Sequence, residues 1–111
     1  MKISEAQKLV RKFAKKNSWK DEPNIDKFDH VHEELIEMSQ YLRYKSAKER
    51  KEAVRRNKGI FEDGIGDVLF SVLRLSNQLG IDAEKAFNKS ARIITKKYSK
   101  TGKESKIVSK Y

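Results

Sequence analysis

Residues 61–82 read FEDGIGDVLFSVLRLSNQLGID. Within them Ile65, Val68, Leu69, Val72, Leu75, Ser76 and Leu79 recur every three or four positions, which gathers them on one side of a helix. A strand, with its two-residue repeat, would not produce that spacing. Gly80 stands where a helix ends in the left-handed conformation, and Asp82 is placed to cap the next helix. The predicted buried face of that next helix is Ala83, Ala86, Phe87, Ser90, Ala91, Ile94 and Tyr98.

Toward the N-terminus, Phe28, Val31, Leu35, Met38 and Leu42 fall at i, i+3, i+7, i+10 and i+14, predicting a long amphipathic helix over about 27–44 with an acidic flank. Ile3, Ala6, Leu9, Val10 and Phe13 predict a first helix over about 4–17, opened by a capping box of Ser4 and Gln7. Asn17-Ser18 breaks it, and Trp19 to Asp26, with Pro23, the only proline, reads as a loop. Lys45 to Lys58 is almost all charge, compatible with an extended helix or a basic connection. Four helices and no credible strand make the expected class all-α, a four-helix-bundle-like fold. At 111 residues a second copy would add core, so completion by homodimerisation is expected. The expected organisation is a single all-α domain over 1–100 and a basic, flexible tail over 101–111.

Composition narrows the function classes. Charged residues, at 38%, equal the hydrophobic ones at 37%, which suits a charged helical domain better than a β-sandwich. The absence of cysteine excludes disulfides, cysteine nucleophiles and thiolate zinc sites. No apolar run approaches the ~20 residues of a membrane span, and the N-terminus has no apolar signal core. A cytoplasmic, unexported protein is therefore expected. The formal net charge of +10 is distributed in blocks of alternating sign. Residues 1–20 carry seven Lys and Arg and one acid, whereas 21–42 carry seven acids and one Lys. Basic surfaces attract polyanions and acidic islands repel them unless a cation intervenes, so the alternation points to a metal-bridged phosphate substrate.

Glu34 and Glu37 are three apart on the acidic helix and project from one flank, where they can share a cation. Asp67 lies beside the apolar stripe of the following helix and can face them. Hard oxygen donors of this kind suit Mg²⁺, whose commonest enzymatic use is bridging to phosphate oxygens. His30 and Glu34, with His32 nearby, have transition-metal spacing but lack a third convergent ligand. No glycine-rich phosphate loop, hydrolase elbow or HExxH helix is present.

Taken together, Glu33-Glu34-Leu35-Ile36-Glu37, then Gly66-Asp67-Val68-Leu69-Phe70 and Leu79-Gly80-Ile81-Asp82, resemble the signature of the MazG-type, all-α nucleotide pyrophosphohydrolases, over about Trp19 to Tyr98. That pattern is EExxE, a spacer, ExxD in a string like EDELGDVLF, and GID at the next helix start. The resemblance implies Mg²⁺-dependent hydrolysis of nucleoside triphosphates to monophosphate and pyrophosphate. It implies metal ligands at Glu34, Glu37, position 64 and Asp67, and a water-orienting role for Glu33. Position 64 is Gly64, which has no ligating side chain. Counted from position 64 on a regular helix, Glu62 and Asp63 point about 200° and 100° away.

A second departure is in the last helix, where the pattern's phosphate-binding Lys and Asn positions are Ser90, Ile93 and Ile94. Lys89 and Arg92, one position away, are the candidate substrate-binding cations, with Lys96 and Lys97 further on. The resemblance also implies a nucleobase-stacking role for Trp19. Two functions are therefore expected: a Mg²⁺-dependent pyrophosphohydrolase, or a catalytically weakened MazG-like protein that binds nucleotide, nucleic acid or a protein partner. A helix-turn-helix reader built on Gly80-Ile81-Asp82 is a third, weaker option.

Overall fold

The structure, a computed structural model, describes residues 1–20, 22–23 and 25–99. The domain boundary and basic tail expected at 100–111 lie outside the described residues. The described chain is all-helical and contains no strand: α1 (Ile3–Lys16), α2 (Ile25–Gln40), α3 (Ala47–Arg56), α4 (Lys58–Leu79) and α5 (Ala83–Tyr98). No helix of the described chain is long and apolar enough to cross a membrane.

The described residues form five helices instead of the four expected, because the charged segment forms its own element. Tyr44 takes a left-handed φ of 60°, which interrupts the chain after α2. Ser46 then starts α3 with a capping box: its hydroxyl accepts from the Glu49 N–H at 3.2 Å, and the Glu49 carboxylate accepts from the Ser46 N–H at 2.9 Å. These bonds favour the ionised Glu49 and lower its pKa. Arg55 and Arg56 pull the Glu52 carboxyl down to about 2 in the same way. α3 is thus held by local polar bonds, with no buried residue.

The α1 start also differs from expectation. Ser4 caps nothing, since the helix begins at Ile3 with Lys2 as its cap residue. Gln7, buried at 7% exposure, works across elements instead. Its amide donates to Asn77 Oδ1 at 2.9 Å and to the Ile81 carbonyl at 2.8 Å, and its oxygen accepts from the Ala83 N–H at 2.9 Å. The Ser4 N–H donates to the Glu84 carboxylate at 3.3 Å. α1 is thereby tied to the α4–α5 turn, where Gly80 adopts a φ of 67° and Asp82 caps α5 by accepting from the Lys85 N–H.

α4 is the central element, with α2 packed along it, α1 packed beside it and α3 touching it, while α5 leans on α1. The apolar core of the described residues is small: Val10, Ala14 and Met38 are the buried hydrophobic side chains. α4 turns Gly64, Ser71, Arg74 and Gln78 inward. Its predicted core stripe lies about 100° around the helix, and Ile65, Leu69, Val72 and Leu79 are 39–59% exposed. The predicted buried face of α5 is likewise outward, with Phe87, Ile94 and Tyr98 exposed and no buried residue in the helix. In α2, Met38 is buried as expected, but Phe28 and Leu35 are about half exposed.

Candidate active site

α2 and α4 pack together, and the Met38 side chain of α2 lies against Gly64 of α4. A Cβ built there would lie 2.7 Å from Met38 Cγ and closer still to Met38 Sδ. Position 64 is therefore filled space: the Met38 thioether occupies the volume a side chain would need. Gly64→Ala should destabilise the fold by about 1–3 kcal/mol through this overlap, less the ~1 kcal/mol an alanine gains in a helix. Met38→Ala in the same chain should recover much of that loss, and a double-mutant cycle on thermal midpoints reads the coupling. Additive effects of the two substitutions would show that the contact is unimportant.

Beside this contact the helices border an open cavity of about 220 Å³, to which α2 contributes Glu34 and Glu37 and α4 contributes Asp63 and Asp67. Asp63 is a residue that counting from position 64 placed away from the site. It lies four residues before Asp67, and i, i+4 side chains share a face, so measuring from Asp67 would have found it. The cavity meets a cleft of about 720 Å³ that shares Glu34 and Asp67 and runs on to Trp19, Lys20, Lys27, His30 and Arg74.

In that cleft the Arg74 guanidinium lies 4.4 Å from the Trp19 ring centroid and donates to the Lys20 carbonyl at 3.1 Å. These contacts fix the loop that carries the indole. Arg74 is 7% exposed, and it too escaped sequence reasoning. Its signal was available, because Arg74 is the only charged residue between Asp67 and Asp82. His30 Nε2 stands 3.6 Å from Glu34 Oε1.

Trp19, Glu34 and Asp67 thus meet in the cleft, and Glu37 joins Glu34 and Asp67 in the adjoining cavity. Glu33 is exposed on α2 and lines neither space. Lys89 and Arg92 are on α5, outside both. A further cavity of about 700 Å³ between α3 and the end of α2 has its carboxylates, Glu49 and Glu52, committed to Ser46 and to Arg55 and Arg56.

Among the described residues no three His, Asp or Glu side chains converge closely enough to hold a metal ion by themselves. The carboxylates that border the cavity are nonetheless hard oxygen donors, with the Met38 thioether beside them. Mg²⁺ ordinarily keeps several waters and binds through one or two carboxylates together with substrate phosphates, and this arrangement fits that mode better than a closed cage. The cleft can accordingly place an aromatic surface and cations at one end and carboxylates at the other. No protein-family model matches the chain, and no curated protein or solved structure was found to match it, so the reading of this cleft rests on its own residues.

Proposed function

We propose that the chain is a MazG-like, Mg²⁺-dependent nucleotide pyrophosphohydrolase, cleaving nucleoside triphosphates to monophosphate and pyrophosphate in the cytoplasm. The observation that carries this reading is the pairing of carboxylates from two facing helices, Glu34 and Glu37 against Asp63 and Asp67, in a cavity that meets the Trp19–Arg74 cleft. Trp19 offers its outer face to a nucleobase while Arg74 holds the inner one. Lys20 and Lys27 neutralise phosphate charge. Mg²⁺ bound with the triphosphate supplies Lewis-acid polarisation of phosphorus and offsets transition-state charge. Glu34, Glu37, Asp63 and Asp67 would hold the Mg²⁺ that the anionic nucleotide brings with it, and Asp63 serves where Gly64 cannot. Water adds to the α-phosphorus as its bond to the bridging oxygen breaks, and pyrophosphate leaves.

Packing of Met38 on Gly64 favours a second reading, a MazG-like module that binds nucleotide, nucleic acid or a protein partner with little turnover. One experiment separates the two. The purified chain with Mg²⁺ and a panel of canonical and modified nucleoside triphosphates should release monophosphate and pyrophosphate. Trp19 fluorescence should change saturably, and by isothermal titration calorimetry Trp19→Ala, which removes the single tryptophan, should weaken binding about 5- to 150-fold, the ~1–3 kcal/mol of a base–aromatic stack. A saturable fluorescence change without pyrophosphate selects nucleotide binding within the second reading, and neither signal removes the enzyme and leaves nucleic acid or a protein partner.

We also propose that the working unit is a homodimer or a dimer of dimers. The outward faces of α4 and α5 present Ile65, Leu69, Val72, Leu79, Phe87, Ile94 and Tyr98. From their fractional exposure these residues together offer roughly 700–800 Å², about one partner's share of a standard interface.

A further inference from the structure

The charge of the protein is segregated in space. α1 and α5 together hold ten Lys and Arg against two acids, net +8 of the total +10. α2, which carries the cleft carboxylates, has five acids and one lysine. The two basic helices start side by side, joined through Ser4 to Glu84 and Gln7 to Ala83. On α1, Lys8, Lys12 and Lys15 follow one another at helical spacing along about 10 Å of exposed surface. On α5, Lys85, Lys89, Arg92 and Lys96 form a ridge about 16 Å long. Among the described residues the ion pairs are His30 with Glu34 and Glu52 with Arg55 and Arg56, so no α1 or α5 cation takes part in one. Such a surface repels itself, and that repulsion is relieved by a polyanion.

We propose that the α1–α5 face is a docking surface for the phosphate backbone of nucleic acid, separate from the cleft. A duplex presents one negative charge per ~1.7 Å of axis, so ridges of this length face several phosphates at once. An anionic bilayer is the less suitable polyanion. On α5 the exposed Phe87 and Ile94 lie about 170–190° around the helix from the cationic ridge, so a surface seated on the ridge does not reach them.

The test is fluorescence anisotropy of a labelled 20-base-pair DNA duplex of arbitrary sequence with the full chain, across about 50–200 mM KCl. Binding should weaken steeply with salt, with the slope of log K on log salt near 0.9 per phosphate contact. A Lys8→Gln, Lys12→Gln, Lys15→Gln variant and a Lys85→Gln, Lys96→Gln variant should each lower affinity at least tenfold and flatten that slope, with helicity unchanged by circular dichroism. Any of four results overturns the proposal: no binding at 50 mM, unchanged slopes in both variants, displacement of the duplex by a nucleoside triphosphate, or capture by phosphatidylserine vesicles without capture of the duplex.

Discussion

Glu34→Gln and Asp67→Asn should each lower kcat/KM for triphosphate hydrolysis about 100- to 1,000-fold, ~3–4 kcal/mol of transition-state stabilisation. Both residues border the small cavity and the cleft, so each lies where a phosphate-bound cation meets the protein. Asp63→Asn should cost a further-measurable 10- to 100-fold if it stands in for the missing ligand, and Glu62→Gln, on the opposite side of α4, should cost nothing. The direction of a second effect follows from Coulomb's law. Without Mg²⁺ the four carboxylates repel a triphosphate, so each neutralised variant should bind nucleotide more tightly than the wild type in chelator. Steady-state pyrophosphate release and titration of Trp19 fluorescence measure the two effects. Full activity in Glu34→Gln would remove the cavity from the reaction.

The second large effect concerns assembly. Leu69→Glu and Phe87→Glu each place a carboxylate on the apolar flank of α4 or α5, and a two-fold interface would receive it twice. An unpaired charge buried in an interface costs several kcal/mol, so the association constant should fall by at least 1,000-fold. Sedimentation equilibrium should show the wild type at about twice the 13.0 kDa chain mass and both variants at the chain mass. The melting temperature of the wild type should rise with protein concentration, as it must when assembly contributes to stability. A wild-type chain that sediments at 13.0 kDa would leave the apolar flank to another occupant.

Several features of the site were legible in the residues before any fold was available. Glu34 and Glu37 had to share a flank because they are one turn apart, and Asp67 had to lie beside the apolar stripe of α4. Arg74 and Met38 were harder. An arginine within an apolar run reads as a solvated interruption, and the stripe of α2 marked Met38 as core but could not say what it touches. Only the packing of α2 on α4 shows that the Met38 thioether fills the space of the absent side chain at Gly64. Lys89 and Arg92 sit on α5, the helix on which the sequence places them, and line neither the cleft nor the cavity within one chain.

The sequence by itself determined the helical period, the left-handed stop at Gly80 and the cap at Asp82, which are local interactions, complete within one or two turns. Tertiary structure decided which side of each helix faces inward. A stripe such as Ile65, Leu69, Val72 and Leu79 has the same period whether it lines the core of one chain or the boundary between two. The choice depends on where α1 and α2 find room against α4. Gly64 admits α2, and the hydrogen bonds of Gln7 fix α1 at the α4–α5 turn, so α4 buries Ser71, Arg74 and Gln78 and leaves its apolar flank outside.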